Sequence, residues 1–207
     1  MARRRKFHKI PLFVTLVIAL MLTGVAVVAV QTLMTRRDLA RQASIAKSQS
    51  ESVLAEKKAF ITRLAPYAQT LHTQYHVLPS ITLAQAILES DWGRSTLASE
   101  YHNLFGIKGS DPAKTKLLAT KEYVNDQWVT VKARFAVYDS DVASMKAHAL
   151  LFVNGTAWNK NQYAAVIAAR DYKTAAQALK TAGYATDPDY PAKLISVVET
   201  YDLARYD

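Results

Sequence analysis

The sequence predicts a mainly α-helical fold with one small β-hairpin, preceded by a single transmembrane helix. Three observations predict it. A run of 21 residues, 10–30, carries no charged side chain. From Phe60 onward apolar residues recur at helical spacing, beginning with Phe60, Leu64, Tyr67, Ala68 and Leu71. Only two adjacent segments, 117–124 and 127–138, are β-rich, and Asn125-Asp126 stands between them as a hairpin turn.

The elements follow in order. Residues 1–9 form a basic tail with Arg3, Arg4, Arg5, Lys6 and Lys9. Residues 10–34 are the signal-anchor, since about 20 apolar residues cross the hydrocarbon core as a helix. Positive charge stays inside, so the tail is expected in the cytoplasm and the rest of the chain outside, on the cell membrane as a single-pass protein. A cleaved signal peptide is the alternative, with Val27-Val28-Ala29 a tolerable cleavage site. Residues 35–59 are polar and free of Gly and Pro, which predicts a helical linker about 37 Å long at 1.5 Å per residue. Its basic side chains are read as a solvated face, with anionic head groups or wall polymers as the alternative contact. Residues 60–207 are the globular domain. In it Ser80 is expected to cap a helix over 81–91 ended by Gly93. Ser140 caps another to Val153, ended by Asn154-Gly155. Helices over 163–170 and 174–182 follow, the second stopped by Gly183, and a last one starts near Pro191.

Composition narrows the chemistry. The chain has no cysteine, which removes disulfides, thiolate metal sites and a cysteine nucleophile. The net charge of +9 is uneven: residues 1–59 hold 11 Lys/Arg against 3 Asp/Glu, and residues 60–207 hold 15 against 14. The domain itself is near neutral and so lacks the basic excess of a nucleic-acid binder. No His/Asp/Glu cluster has metal-ligand spacing and no glycine-rich phosphate loop is present, so no cofactor and no metal are expected.

The informative segment is Leu88-Glu89-Ser90-Asp91-Trp92-Gly93-Arg94-Ser95. Leu83, Ala84, Ile87 and Leu88 form an apolar arc on a helical wheel, and Gln85 and Glu89 share the other flank one turn apart. Glu89 thus falls in the last helical turn. The negative end of the helix dipole and an apolar wall both disfavour its carboxylate. Both effects raise its pKa, as a general acid at neutral pH requires. Taken alone, the segment also fits an ordinary exposed Glu on an amphipathic helix.

Further blocks change the reading. Asn103-Leu104-Phe105-Gly106-Ile107-Lys108 follows, then Phe135-Ala136-Val137-Tyr138-Asp139-Ser140 with Ser144 and His148, then Gly183-Tyr184-Ala185-Thr186-Asp187-Pro188. In this order they resemble the glucosaminidase domains of glycoside hydrolase family 73, which include bacterial autolysins and flagellar peptidoglycan hydrolases. One departure is local: the family usually has Arg directly after the Phe matching Phe135, whereas here Arg134 precedes it. The resemblance covers the whole globular part. It implies a lysozyme-like α-rich fold with a groove, Glu89 as the catalytic acid and Tyr184 as the active-site tyrosine. A second carboxylate is often on the hairpin, where Glu122 is the candidate; a rim salt bridge is its alternative. Asn103, Phe105 and Lys108 are expected to line the groove, with Leu104 and Ile107 in the core. Trp128, near the hairpin turn, is the candidate for stacking on sugar rings, and Trp92 is expected to pack beside Glu89. Asp91 and Asp126 are read as structural and turn residues, Glu100 as surface, and His148 as a satisfied structural histidine.

The function these residues imply is hydrolysis of the β-1,4 bond after N-acetylglucosamine in peptidoglycan, as an endo-β-N-acetylglucosaminidase. The expected partners are glycan strands, the membrane through one N-terminal helix, and a membrane-protein partner, with no nucleic acid. A muramidase or lytic transglycosylase on the same fold is the alternative among enzymes. Outside enzymes the alternative is a membrane-tethered wall-binding or assembly factor with an inactive domain.

Overall fold

A computed structural model of the protein describes residues 11–124 and 127–207, apart from the side chains at positions 18, 26, 121–124 and 128. The basic tail expected over residues 1–9 and the Asn125-Asp126 turn lie outside the described residues. The chain divides into two compact units, Met1–Ala55 and Glu56–Asp207.

The first unit is helical from Leu12. Helix α1 runs over Leu12–Tyr75, so the apolar segment, the polar segment and the first helix of the domain are one continuous element. Its start is long and apolar enough to cross a membrane. Leu12, Phe13, Leu16, Leu20 and Met21 expose their side chains, the surface a helix presents to hydrocarbon. Three hydroxyls in this stretch bond within the helix. The hydroxyls of Thr15, Thr23 and Thr32 donate to the carbonyls of Leu12, Leu20 and Ala29 at 2.7–2.8 Å.

The second unit is built around helix α2, Pro79–Ser90. Residues 79–87 of α2 are buried on every side, which makes it the central helix of the domain. The end of α1 packs into the same core through Phe60, Leu64, Ala68 and Leu71, four of the positions its sequence spacing picked out, joined by Ile61, while Tyr67 is partly buried against it. The first turn of α2 differs from expectation. Pro79 occupies the start, and Ser80 lies inside the helix instead of capping it. The Asp207 carboxylate takes the capping role, accepting from Ser80 N and Ser80 Oγ at 2.7 Å each. A carboxylate at this end also suits the positive pole of the helix.

The remaining elements complete the domain. They are α3 (Thr96–Tyr101), a 3₁₀ turn at Pro112–Lys114, strands β1 (Thr115–Val124) and β2 (Gln127–Ala136), α4 (Asp141–Asn154), α5 (Ala164–Ala168), α6 (Tyr172–Thr181), α7 (Tyr190–Thr200) and a 3₁₀ turn at Leu203–Tyr206. Of these, α6, α7 and the last 3₁₀ turn pack against α2. The strands pair antiparallel from Thr115 opposite Ala136 to Val124 opposite Gln127. The expected fold class is therefore observed: mainly helical, with one two-stranded sheet. Ser140 and Gly155 cap α4 as expected, Ser140 accepting from Ala143 N. Helix α3 was not anticipated; Ser95 caps it by accepting from Ala98 N.

Candidate active site

Glu89 is the only exposed residue of α2. The helix is buried until its final turn, and there it delivers one carboxylate to the surface. The chain then reverses through three successive residues with positive φ: Asp91 at 49°, Trp92 at 61° and Gly93 at 77°. The helix thus ends at Ser90 with Asp91 as its cap, within one residue of the expected end, and Gly93 completes the reversal. Ser90 fastens the reversal: its hydroxyl donates to the Ala86 carbonyl and accepts from Gly93 N. Glycine is needed at 93 for its φ and because a Cβ would approach Phe60 Cε2 to 2.9 Å. Trp92 wedges edge-on between Phe60 and Tyr201, with Lys57 Nζ 4.9 Å above its ring. The reversal is therefore anchored to the core on both sides.

Two other helix ends meet Glu89. At the end of α6, Gly183 takes φ 72°, Gly183 N donates to Lys180 O, and Tyr184 N donates to Leu179 O. This double closure is a Schellman turn, and it turns Tyr184 back into the domain. At the start of α7, Asp187 braces the turn: its side chain accepts from Asp189 N at 2.9 Å and pairs with Lys193. Tyr190, the first residue of α7, then reaches Glu89. Its hydroxyl donates to Glu89 Oε1 at 2.7 Å and accepts from Gln85 Nε2 at 3.1 Å.

An aromatic wall backs these groups. Tyr184 stacks on Tyr190 with ring centroids 5.9 Å apart and 21° between planes. It meets His148, Phe152 and Tyr163 edge-on. Burial in this wall raises the Glu89 pKa, against the hydrogen bond from Tyr190, which lowers it. Glu89 is accessible on one side and walled by protein on the others. A ligand covering the open side would complete its removal from water and push it further toward the acid form. Burial, then the nearby charge of Glu89, holds Tyr184 far above the ordinary phenol range. Tyr184 is thus a neutral hydroxyl at any working pH. The arrangement offers one protonatable carboxyl at a solvent-open surface, beside neutral phenols.

Residues 65–203 match the glucosaminidase family, described as mannosyl-glycoprotein endo-beta-N-acetylglucosaminidase. The chain belongs to the glucosaminidase family. It is 48% identical over 169 residues to the exo-glucosaminidase LytG of Bacillus subtilis, covering 82% of this chain and 59% of LytG. It is 38% identical over 192 residues to a probable N-acetylmuramidase of Lactococcus lactis, covering 88% of this chain and 42% of that protein. The chain therefore spans about half the length of these relatives. Among solved structures, the catalytic domain of the autolysin Auto from Listeria monocytogenes aligns with a TM-score of 0.66 at 34% identity, over 78% of this chain and 97% of that domain.

Within the glucosaminidase domain, the residues singled out by sequence fall into three groups. Glu89 and Tyr184 share the aromatic pocket. Asn103, Phe105 and Lys108 build the turn beside it. Asn103 is buried, and its amide donates to the carbonyls of Ile107 and Ala136 at 2.9 Å while accepting from Ile107 N at 3.0 Å. Its side chain thus ties the turn to the base of the hairpin. Phe105 is buried with its ring stacked on His148 at 3.9 Å. Lys108 is exposed, with its backbone bridged to Phe135. Glu122 and Trp128 have paired backbones in β1 and β2, opposite Val129 and Tyr123, but their side chains lie outside the described residues. Asp91 pairs with Arg94 at 2.8 Å, a structural role as expected, and Arg134 donates to Thr115 Oγ1 at 3.3 Å.

His148 departs from expectation in one respect. It is fully buried, but neither ring nitrogen has a hydrogen-bond partner among the described residues. Burial lowers its pKa to about 3, so it is a neutral ring packed between Phe105 and Phe152. Sequence reading also missed Tyr190 and undervalued Gln85. The available signal was an aromatic residue directly after the Thr186-Asp187-Pro188-Asp189 turn, at the start of a proline-led helix. No group of three metal-binding side chains occurs among the described residues.

Proposed function

We propose that this protein hydrolyses the β-1,4 bond after N-acetylglucosamine in peptidoglycan glycan strands, with Glu89 as general acid. The observation that carries this reading is the isolation of Glu89: one open carboxyl on an otherwise buried helix, with its pKa raised by burial. Glu89 gives its proton to the leaving oxygen as the glycosidic bond breaks. The oxocarbenium-like state then needs either a second carboxylate acting on water or help from the substrate's own 2-acetamido group. Glu122 is the residue for the first route, and Tyr184 orients the acetamido group in the second. Lys108 and Trp128 are assigned to the rim that meets the strand, while Asn103 and Phe105 shape it from beneath.

The apolar start of α1 supports a single-pass anchor with the domain outside the cell. A membrane-protein partner would then meet the chain near its anchor. The test is mass spectrometry of peptidoglycan digested by the full chain in detergent. Products ending in reducing N-acetylglucosamine support the reading. The likeness to probable N-acetylmuramidases favours a second reading, muramidase action. Products ending in reducing N-acetylmuramic acid would establish that instead, and 1,6-anhydro ends a lytic transglycosylase. The likeness to an exo-glucosaminidase bears on the mode of attack. Early release of long fragments marks endo action, and early release of small sugars marks exo action.

A further inference from the structure

We propose that Tyr190 is a positioning residue for the acid, and that Gln85 sets the direction of a hydrogen-bond chain that confines the Glu89 proton to Oε2. The inference deepens the assignment of Glu89 as general acid and rests on it.

Gln85 and Glu89 lie one turn apart on α2, so a single side chain from α7 can touch both. The phenol of Tyr190 does so. An amide nitrogen only donates. At 3.1 Å from Gln85 Nε2 the phenol oxygen must therefore accept, and its one proton points to Glu89 Oε1 at 2.7 Å. A neutral carboxyl has one carbonyl oxygen and one hydroxyl. Oε1, receiving a proton from Tyr190, takes the carbonyl role. The acidic proton then sits on Oε2. Neither the amide nor the phenol is free to reorient: Gln85 is fully buried, Tyr190 is 5% exposed, and its ring is stacked on Tyr184.

The chain also contributes to the chemical step. When the proton passes from Oε2 to the glycosidic oxygen, the pair of its former bond stays on the carboxyl group, and the bond from that oxygen to the anomeric carbon breaks with its pair. The Tyr190 bond to Oε1 becomes a bond to a carboxylate, and such charge-assisted bonds are roughly twice as strong as neutral ones. An interaction that strengthens along the reaction lowers the barrier rather than merely binding the substrate.

The test is Tyr190→Phe in the full chain, in detergent, with ¹³C-labelled glutamate. The Glu89 carboxyl signal is identified by its loss in Glu89→Gln. The expected result is that Glu89 titrates at higher pH in Tyr190→Phe than in wild type, and that the basic limb of the pH–rate profile moves up with it. Turnover should fall by roughly 10-fold with KM unchanged, the scale of one hydrogen bond to a charged group. Gln85→Leu, which removes the donor behind the phenol, should move the titration in the same direction by less. It also serves as the test should Tyr190→Phe fail to fold. A Glu89 titration that stays put or moves down in a folded variant overturns the proposal. Downward movement would mean that the phenol accepts the Glu89 proton and does not donate. The titration reads the chain without turnover, so it decides the matter even if Glu89→Gln proves active and the acid assignment fails.

Discussion

Glu89 stands between two opposing influences, burial that favours its acid form and a phenol that favours its carboxylate, and burial is the larger. A carboxyl with a raised folded pKa stabilises the fold below its unfolded pKa, and that contribution is lost as pH rises through the folded value. At neutral pH the group is therefore a stability cost. Glu89→Gln removes the proton and the cost together. Activity on peptidoglycan should fall at least about 100-fold, while the melting temperature holds or rises. Near wild-type cleavage by the variant would end the proposed mechanism. His148 titrates in the opposite sense. Buried, it is neutral when folded, with a pKa of about 3 against an unfolded 6.5. The unfolded state binds the extra proton between those values, so the stabilising contribution is full above about pH 6.5 and is lost as pH falls toward 3. His148→Phe keeps an aromatic ring and removes this liability. The difference in melting temperature between variant and wild type should shift in the variant's favour as pH drops from 7 to 4. A constant difference across that range would show that His148 does not carry the acid sensitivity.

At the scale of elements, α2 is held at both ends, by Asp207 at its first turn and by the Ser90 reversal at its last. Asp207→Ala frees two donors of Ser80. It should cost about 1 kcal/mol, the usual value of a helix cap, as read by urea unfolding. KM should stay as in wild type, since Glu89 is at the other end of the helix. An unchanged unfolding midpoint would show that Asp207 is not the cap. What the sequence reveals about these elements follows from how local their causes are. Ser140 and Gly155 bracket α4 within its own residues, and both ends were legible. Helix α3 has six residues, too few for a periodic pattern, and it stands on the Ser95 cap alone. The α2 start moved because its determinants are Pro79 and a carboxylate 127 positions away. The site divides in the same way. Glu89 and Tyr184 sit in compact sequence blocks and could be read there. Tyr190 gains its meaning only from a bond to a residue 101 positions earlier, which no local pattern encodes.

At the scale of the whole molecule, the apolar start of α1 and the basic residues before it lead to a further expectation. The full chain should fractionate with membranes and resist extraction by high salt and alkaline carbonate while yielding to detergent. Recovery of a mature protein beginning near Val30 in the culture medium would refute the anchor. The three helix ends that form the site bear on delivery as well as chemistry. Glu89, Tyr184 and Tyr190 come from α2, α6 and α7, and the first turn of α2 is secured by residue 207. With the N-terminus held inside as proposed, the rest of the chain crosses in sequence order, and Glu89 emerges before Tyr190 and Asp207. Until then α2 lacks its cap and the carboxyl lacks its partner. On the proposed mechanism, the site is assembled only after α7 and residue 207 have followed α2 across.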